Sequence, residues 1–319
     1  MTRKRKPTIT QIIMNQVKEN LKDIKYDKTK KQYERHAKKF VDYCRTNFNC
    51  KTYEDCLEHI QDYVNDLIQQ GYTPSSVHTF AVAVSQGFNY PLSSIKKEKR
   101  KISEYTRGRN VDPLNVTSAK SDLFDPKWSY LVEFQKRAGI RRNDLKNLCG
   151  RNLKYDENKN LCLELEKSKG KKYQLQRILP EDEELIKSYF EGVGQDEKVF
   201  KSELFNNNIN LHYYRAKHAK ECYFYYLKLA RTDPQVRDRM ERELRARWEK
   251  YNIDKRTGKP KKFNENLIQG YYYLRGDVKK MAIEKKMPTK YDKLVLLYVS
   301  TFFLSHWRLG VCLHSYILA

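Results

Sequence analysis

The chain has 319 residues, room for two domains of ordinary size, with 39% hydrophobic residues to build cores and 33% charged ones to solvate them. Sixty-four Lys and Arg against 40 Asp and Glu leave a net charge of +24, which points to a polyanionic partner, nucleic acid first and an anionic membrane surface second. The run Leu294 to Leu304 is too short and too polar for a membrane span of roughly 20 apolar residues, the start MTRKRKP has no apolar stretch behind it, and the seven cysteines show no CxxC spacing. A reduced, cytoplasmic protein is expected, with no membrane segment, metal or cofactor.

Residues 1–28 read as a basic, disordered tail. From 29 to 95 a compact helical module is predicted. Tyr33, His36, Ala37, Phe40, Val41 and Cys44 recur at three-to-four spacing, as do Ile60, Tyr63, Val64, Leu67 and Ile68, each set marking one buried helix face. Thr73-Pro74-Ser75-Ser76 carries the signature of a capped helix start with Pro in the first turn. Residues 96–112 read as a basic linker, because KKEKRKISEYTRGR holds seven basic and two acidic side chains and almost no apolar periodicity.

A second domain is predicted over 113–319, mainly α with a small β-sheet. Trp128 to Lys136 reads as a helix. Leu161 to Glu166 and Tyr173 to Leu179 alternate apolar and polar residues as half-buried strands do, with Ser168-Lys169-Gly170-Lys171 as a hairpin turn between them. Pro180 opens another helix, its acidic residues at the positive end of the dipole, and helices continue to the C-terminus.

Four short motifs in this domain suit phosphoryl transfer. Gly139-Ile140-Arg141-Arg142-Asn143-Asp144-Leu145 places an Arg at a helix start, where a guanidinium can clamp a phosphate with two parallel hydrogen bonds. Adjacent helical residues point about 100° apart, so only one of Arg141 and Arg142 can face it. Lys169 on its hairpin can reach a groove and donate a proton to a leaving oxygen, with Lys167 and Lys171 as competitors. His212 and Arg215, in HYYR, share a helix face and can address two oxygens of one phosphate. Leu304-Ser305-His306 is followed ten residues later by Tyr316. A phenol with a reference pKa near 10 needs cations around the phosphate to act as a nucleophile. Singly, each motif has an ordinary surface or core explanation.

Taken in order, GIRRNDL, KSKGKKYQLQRILP, HYYR and LSHWRLGVCLHSY resemble the tyrosine recombinase (phage integrase) family over about residues 29–319. The resemblance implies a helical core-binding domain at 29–95 and an α+β catalytic domain. It implies a DNA integrase or recombinase that acts on a double-stranded recombination site as a homotetramer. Tyr316 would form a 3′-phosphotyrosyl link, and Arg141 and Arg215 would bind the non-bridging oxygens. Lys169 would protonate the departing 5′ oxygen. His212 would assist the tyrosine proton and bond the phosphate, His306 would bond the phosphate, and Asp144 would orient Arg141. The alternatives are a type IB topoisomerase-like nicking-closing enzyme and a non-catalytic DNA-binding relative. Ser305 stands where the family has Gly. His306 follows Arg215 by 91 residues where the family uses a few tens, so residues 230–293 read as a basic, mostly helical insertion, with Val236, Met240, Leu244 and Trp248 as its apolar stripe.

Overall fold

A computed structural model describes residues 7–99, 128–168, 172–206, 209–254 and 256–318. The chain divides into two compact units, Met1–Lys101 and Ile102–Ala319. Most of the predicted linker and the Lys169–Lys171 turn lie outside the described residues.

The first unit packs five helices: α1 (Ile9–Asn20), α2 (Asp27–Phe48), α3 (Tyr53–Leu57), α4 (Ile60–Gln69) and α5 (Pro74–Gly87). The predicted stripes face inward, with His36, Ala37, Phe40, Val41 and Cys44 buried on α2 and Ile60, Tyr63, Val64 and Leu67 on α4. Thr73 caps α5 by accepting from the Ser76 amide, and Pro74 fills the first turn. The expected tail is corrected: residues 9–20 form a helix that packs on α2 and α5. Thr8 and Gln11 close a capping box, and Ile13, Met14 and Val17 enter the core. An N-terminal boundary at 28 therefore cuts through a single core. The beginning of the predicted linker is also fixed, since Gln61 exchanges two hydrogen bonds with the Lys96 backbone, at 2.8 and 3.0 Å.

The second unit begins, among described residues, with α6 (Ser129–Ala138) and α7 (Arg142–Asn147). An antiparallel sheet of order β1-β2-β3 follows, from β1 (Leu153–Tyr155), β2 (Leu161–Ser168) and β3 (Lys172–Arg177). Next come α8 (Glu183–Ser188), the long α9 (Leu211–Thr232), α10 (Pro234–Tyr251), β4 (Tyr271–Tyr273), α11 (Gly276–Glu284) and β5 (Lys290–Asp292). The chain continues through α12 (Lys293–Phe302) and α13 (Leu309–Cys312) into a π-helical turn, Leu313–Ile317. Strands β4 and β5 pair antiparallel. The fold is thus mostly helical with two small antiparallel sheets, an α+β arrangement.

Two sequence readings change here. The alternation over Tyr173–Gln176 is inverted, because Gln174 and Gln176 are buried, at 6% and 0% exposure, while Tyr173 is exposed. The amides of these two glutamines serve arginines, as described below. The 230–293 segment, read as an insertion, is built into the core. Val236, Met240 and Leu244 of α10 belong to the core that also holds α12 and Tyr316, and Trp248 stands edge-on to Trp307 at 5.1 Å. Glu243 of α10 joins Arg177 at 2.5 Å, and Arg177 also bonds Asp156 at 2.6 Å, so a buried ion cluster ties α10 to the sheet.

Candidate active site

Arg141 is delivered by the corner between α6 and α7. Gly139 ends α6 in the left-handed region, φ 56°, and a Cβ there would run into the His218 ring, so the corner requires glycine. Arg141 follows as the extended residue before α7. Its Nη1 donates to Ser168 Oγ at 2.9 Å and to Gln174 Oε1 at 2.8 Å. Ser168 Oγ donates in turn to Asp144 Oδ2 at 2.7 Å. Asp144, 3.8 Å from the guanidinium, therefore orients Arg141 largely through Ser168. Burial, and then the nearby Arg215 charge, press the Arg141 pKa below its ordinary value. Arg142 points elsewhere, donating to the carbonyls of Phe205 at 2.7 Å and Ile209 at 3.1 Å.

Arg215, on the first third of α9, is 1% exposed. Nη1 donates to the Gly139 carbonyl and to Gln176 Oε1, Nη2 to the Leu304 carbonyl at 2.8 Å, and Nε to Tyr316 Oη at 3.4 Å. Among the described residues no carboxylate lies within salt-bridge distance of this guanidinium. A buried cation held only by neutral acceptors is costly, by several kcal/mol, and such placements cluster at sites that receive an anion.

Tyr316 sits in the π-helical turn, anchored by buried Leu313 and Ile317, with its own side chain 8% exposed overall. The Arg215 guanidinium carbon lies 5.4 Å from its ring centre and the His306 ring 5.9 Å. Hydrogen-bond arithmetic fixes the His306 tautomer. Ser300 Oγ has one proton, which goes to the His306 carbonyl at 2.6 Å, and it accepts from the Arg308 amide at 3.3 Å. The His306 Nδ1, 2.7 Å from the same oxygen, must therefore donate. That leaves Nε2 as a lone-pair acceptor, buried and without a partner. Burial, followed by the charges of Arg215, Arg141 and Arg308, holds the His306 pKa down at about 3, so the ring is neutral at pH 7.

The fold thus gathers Arg141, Arg215, His306 and Tyr316, which are scattered through 176 positions of the sequence from 141 to 316. His212 lies one turn before Arg215 with its side chain exposed. Lys169 lies outside the described residues, although Ser168 beside it in the chain holds Arg141. Sequence reasoning missed Ser168, Gln174, Gln176 and Ser300, the neutral groups that aim the cations and the imidazole. The one available signal was two glutamines at alternate positions of a strand.

Ser305 adopts φ 54°, the left-handed region that glycine tolerates best, and its Oγ is buried without a partner. Ser305→Gly should therefore stabilise the protein by about 1 kcal/mol. A denaturant midpoint that stays put or falls would count against this account of the turn.

No family model and no curated protein matches the chain. Among solved structures it is similar to one described as the crystal structure of XerA recombinase, at 15% identity and a TM-score of 0.23, with 66% of this chain and 83% of that chain covered. A likeness that faint adds nothing to the reading of the site, which stands on its own geometry.

Proposed function

We propose that the chain is a DNA-cleaving and rejoining enzyme of the tyrosine recombinase type, acting on a duplex recombination site during integration or excision of a mobile element. One observation carries the reading: the phenol of Tyr316 rests on a buried Arg215 guanidinium that meets no carboxylate among the described residues, with Arg141 and a neutral His306 around it. A phosphate oxygen entering this site competes with the phenol for the Arg215 donor, and two arginines neutralise the charge that develops on the phosphoryl group.

In the proposed step Tyr316 Oη attacks phosphorus and forms the P–Oη bond while the P–O5′ bond breaks. His306 Nε2, neutral and with a free lone pair, can accept a hydrogen bond from the phenol and hold it in line for attack, but with its pKa held at about 3 it does not keep the proton, which passes to water. His212, exposed on the first turn of α9, is left to hydrogen-bond the phosphate. Lys169 supplies the proton to the departing 5′ oxygen. The covalent bond keeps the phosphodiester energy, so the reverse attack by a 5′-hydroxyl rejoins DNA without a nucleotide.

A suicide duplex, nicked so that the cleaved end diffuses away, tests this. The wild-type chain should become covalently attached to the 3′ end, and Tyr316→Phe, which removes one oxygen and keeps the ring packing, should bind the duplex but give no adduct. Absence of an adduct from wild type on cognate DNA would leave a DNA-binding relative. An adduct with plasmid relaxation but no exchange between two sites would favour a nicking-closing enzyme.

A further inference from the structure

Cys44, Cys50 and Cys56 are spaced too widely for a familiar zinc motif, yet the fold of the first unit brings them together. Cys44 lies in the last turns of α2, Cys50 follows Asn49, whose left-handed φ of 54° turns the chain, and Cys56 lies on α3. The three sulfur atoms lie within 4.8 Å of one another, and the residues are 0%, 5% and 0% exposed. Buried cysteines that serve only as small apolar fillers have no reason to point three sulfurs from three segments at one spot.

We infer that Cys44, Cys50 and Cys56 form a binding site for a thiophilic d10 metal ion, Cu+ or Zn2+, that staples the end of α2 to α3. An ion bonded to three thiolates at about 2.3 Å holds its sulfurs about 4 Å apart, so the thiols need only a small adjustment to close on it. Soft sulfur donors select these ions over Mg2+ or Ca2+. Binding is not a redox step: the ion displaces the thiol protons to solvent and three metal–sulfur bonds form. Among the described residues no His, Asp or Glu joins the group. Nearby His59 is stacked on Phe48 at 3.6 Å and bonded to Asp62 at 3.0 Å. A trigonal Cu+ is therefore complete with the three sulfurs, whereas Zn2+ needs a fourth ligand that the side chains among the described residues do not supply.

The site is independent of the reading of Tyr316 and is tested without activity. The full chain, purified under anaerobic reducing conditions, is analysed for metal content and then titrated with Co2+ and with Cu+. About one tightly held ion per chain is expected, zinc or copper content showing which. Co2+ should give a near-ultraviolet thiolate charge-transfer band, and saturating metal should raise the melting midpoint by roughly 10 °C. Cys50→Ser, at the least buried of the three positions, should lose the band while keeping the helical circular dichroism. A metal-free chain with all thiols reduced that gives no cobalt band and retains no Cu+ would overturn the proposal. So would a mass deficit that places a disulfide among the three.

Discussion

Arg215→Ala should destabilise the second unit by about 3–5 kcal/mol and abolish covalent attachment to DNA at once. The structural half follows from what the guanidinium holds. Its donors reach the Gly139 carbonyl at the end of α6, Gln176 on β3 and the Leu304 carbonyl after α12, all in a site only 1% exposed. Truncation leaves these acceptors buried and unmet, with a cavity between them. The chemical half follows from the Nε donor to Tyr316 and from a charge that no carboxylate among the described residues neutralises. The consequence for experiment is that DNA binding by Arg215→Ala confounds lost folding with lost contact. Arg215→Lys keeps the charge but cannot span three acceptors with one ammonium. It should fold better than the alanine variant and remain without adduct. Urea titration beside the suicide-duplex assay separates the two effects. An alanine variant as stable as wild type, or one that still forms adduct, would break the link between this side chain, the fold and the phosphate.

Arg141 is the cleaner probe of the proposed phosphate clamp, because the Ser168–Asp144 hydrogen bond does not depend on it and its removal takes the guanidinium donor from Gln174 Oε1 without touching the Arg215 contacts. The contrast shows how much of the site was legible in advance. The order of the motifs, through the family resemblance it carries, put Arg141, Arg215, His306 and Tyr316 in one candidate set, and the fold places these four side chains near one another. What aims them was not legible. Gln174 and Gln176 read as the wet face of a strand by simple alternation, and only the packed sheet shows that face turned inward toward two arginines. Ser300 lies inside an apolar helix, where nothing marks it as the oxygen that sets a tautomer. The helix over 9–20 was hidden behind the basic start of the chain, although Thr8 and Gln11 carry a capping-box pattern that local charge reading overlooks. In the basic segment around 230–293 the helical stripe was legible, but its place in the core beside α12 was not. Its net charge described its surface, while three residues, Val236, Met240 and Leu244, decided its place in the core.

The same arrangement makes the second unit sensitive to mild acid. His218, wholly buried behind Gly139, and His306, beside the phenol, both have folded pKa values held down to about 3 by burial first and the Arg215 charge second, against an ordinary 6.5. Between these values the unfolded chain binds protons that the folded one refuses, so stability falls as pH drops from 6.5 toward 3. At pH 5 the loss is about 2 kcal/mol from His218 and less from the half-buried His306, each pH unit being worth about 1.4 kcal/mol. Asp182 works against this. Its carboxyl is raised to about 6, chiefly by burial, so it takes up a proton in the folded state first and returns about 1 kcal/mol by pH 5. The net expectation is a urea midpoint clearly lower at pH 5 than at pH 7, with part of the difference gone in His306→Gln. Because His306 resists protonation while the fold lasts, adduct yield per folded molecule should change little over the same range. Equal stability at the two pH values, or cleavage titrating away near 6.5 in a chain that is still folded, would mean that the imidazole faces water and does not stand guard over the phenol.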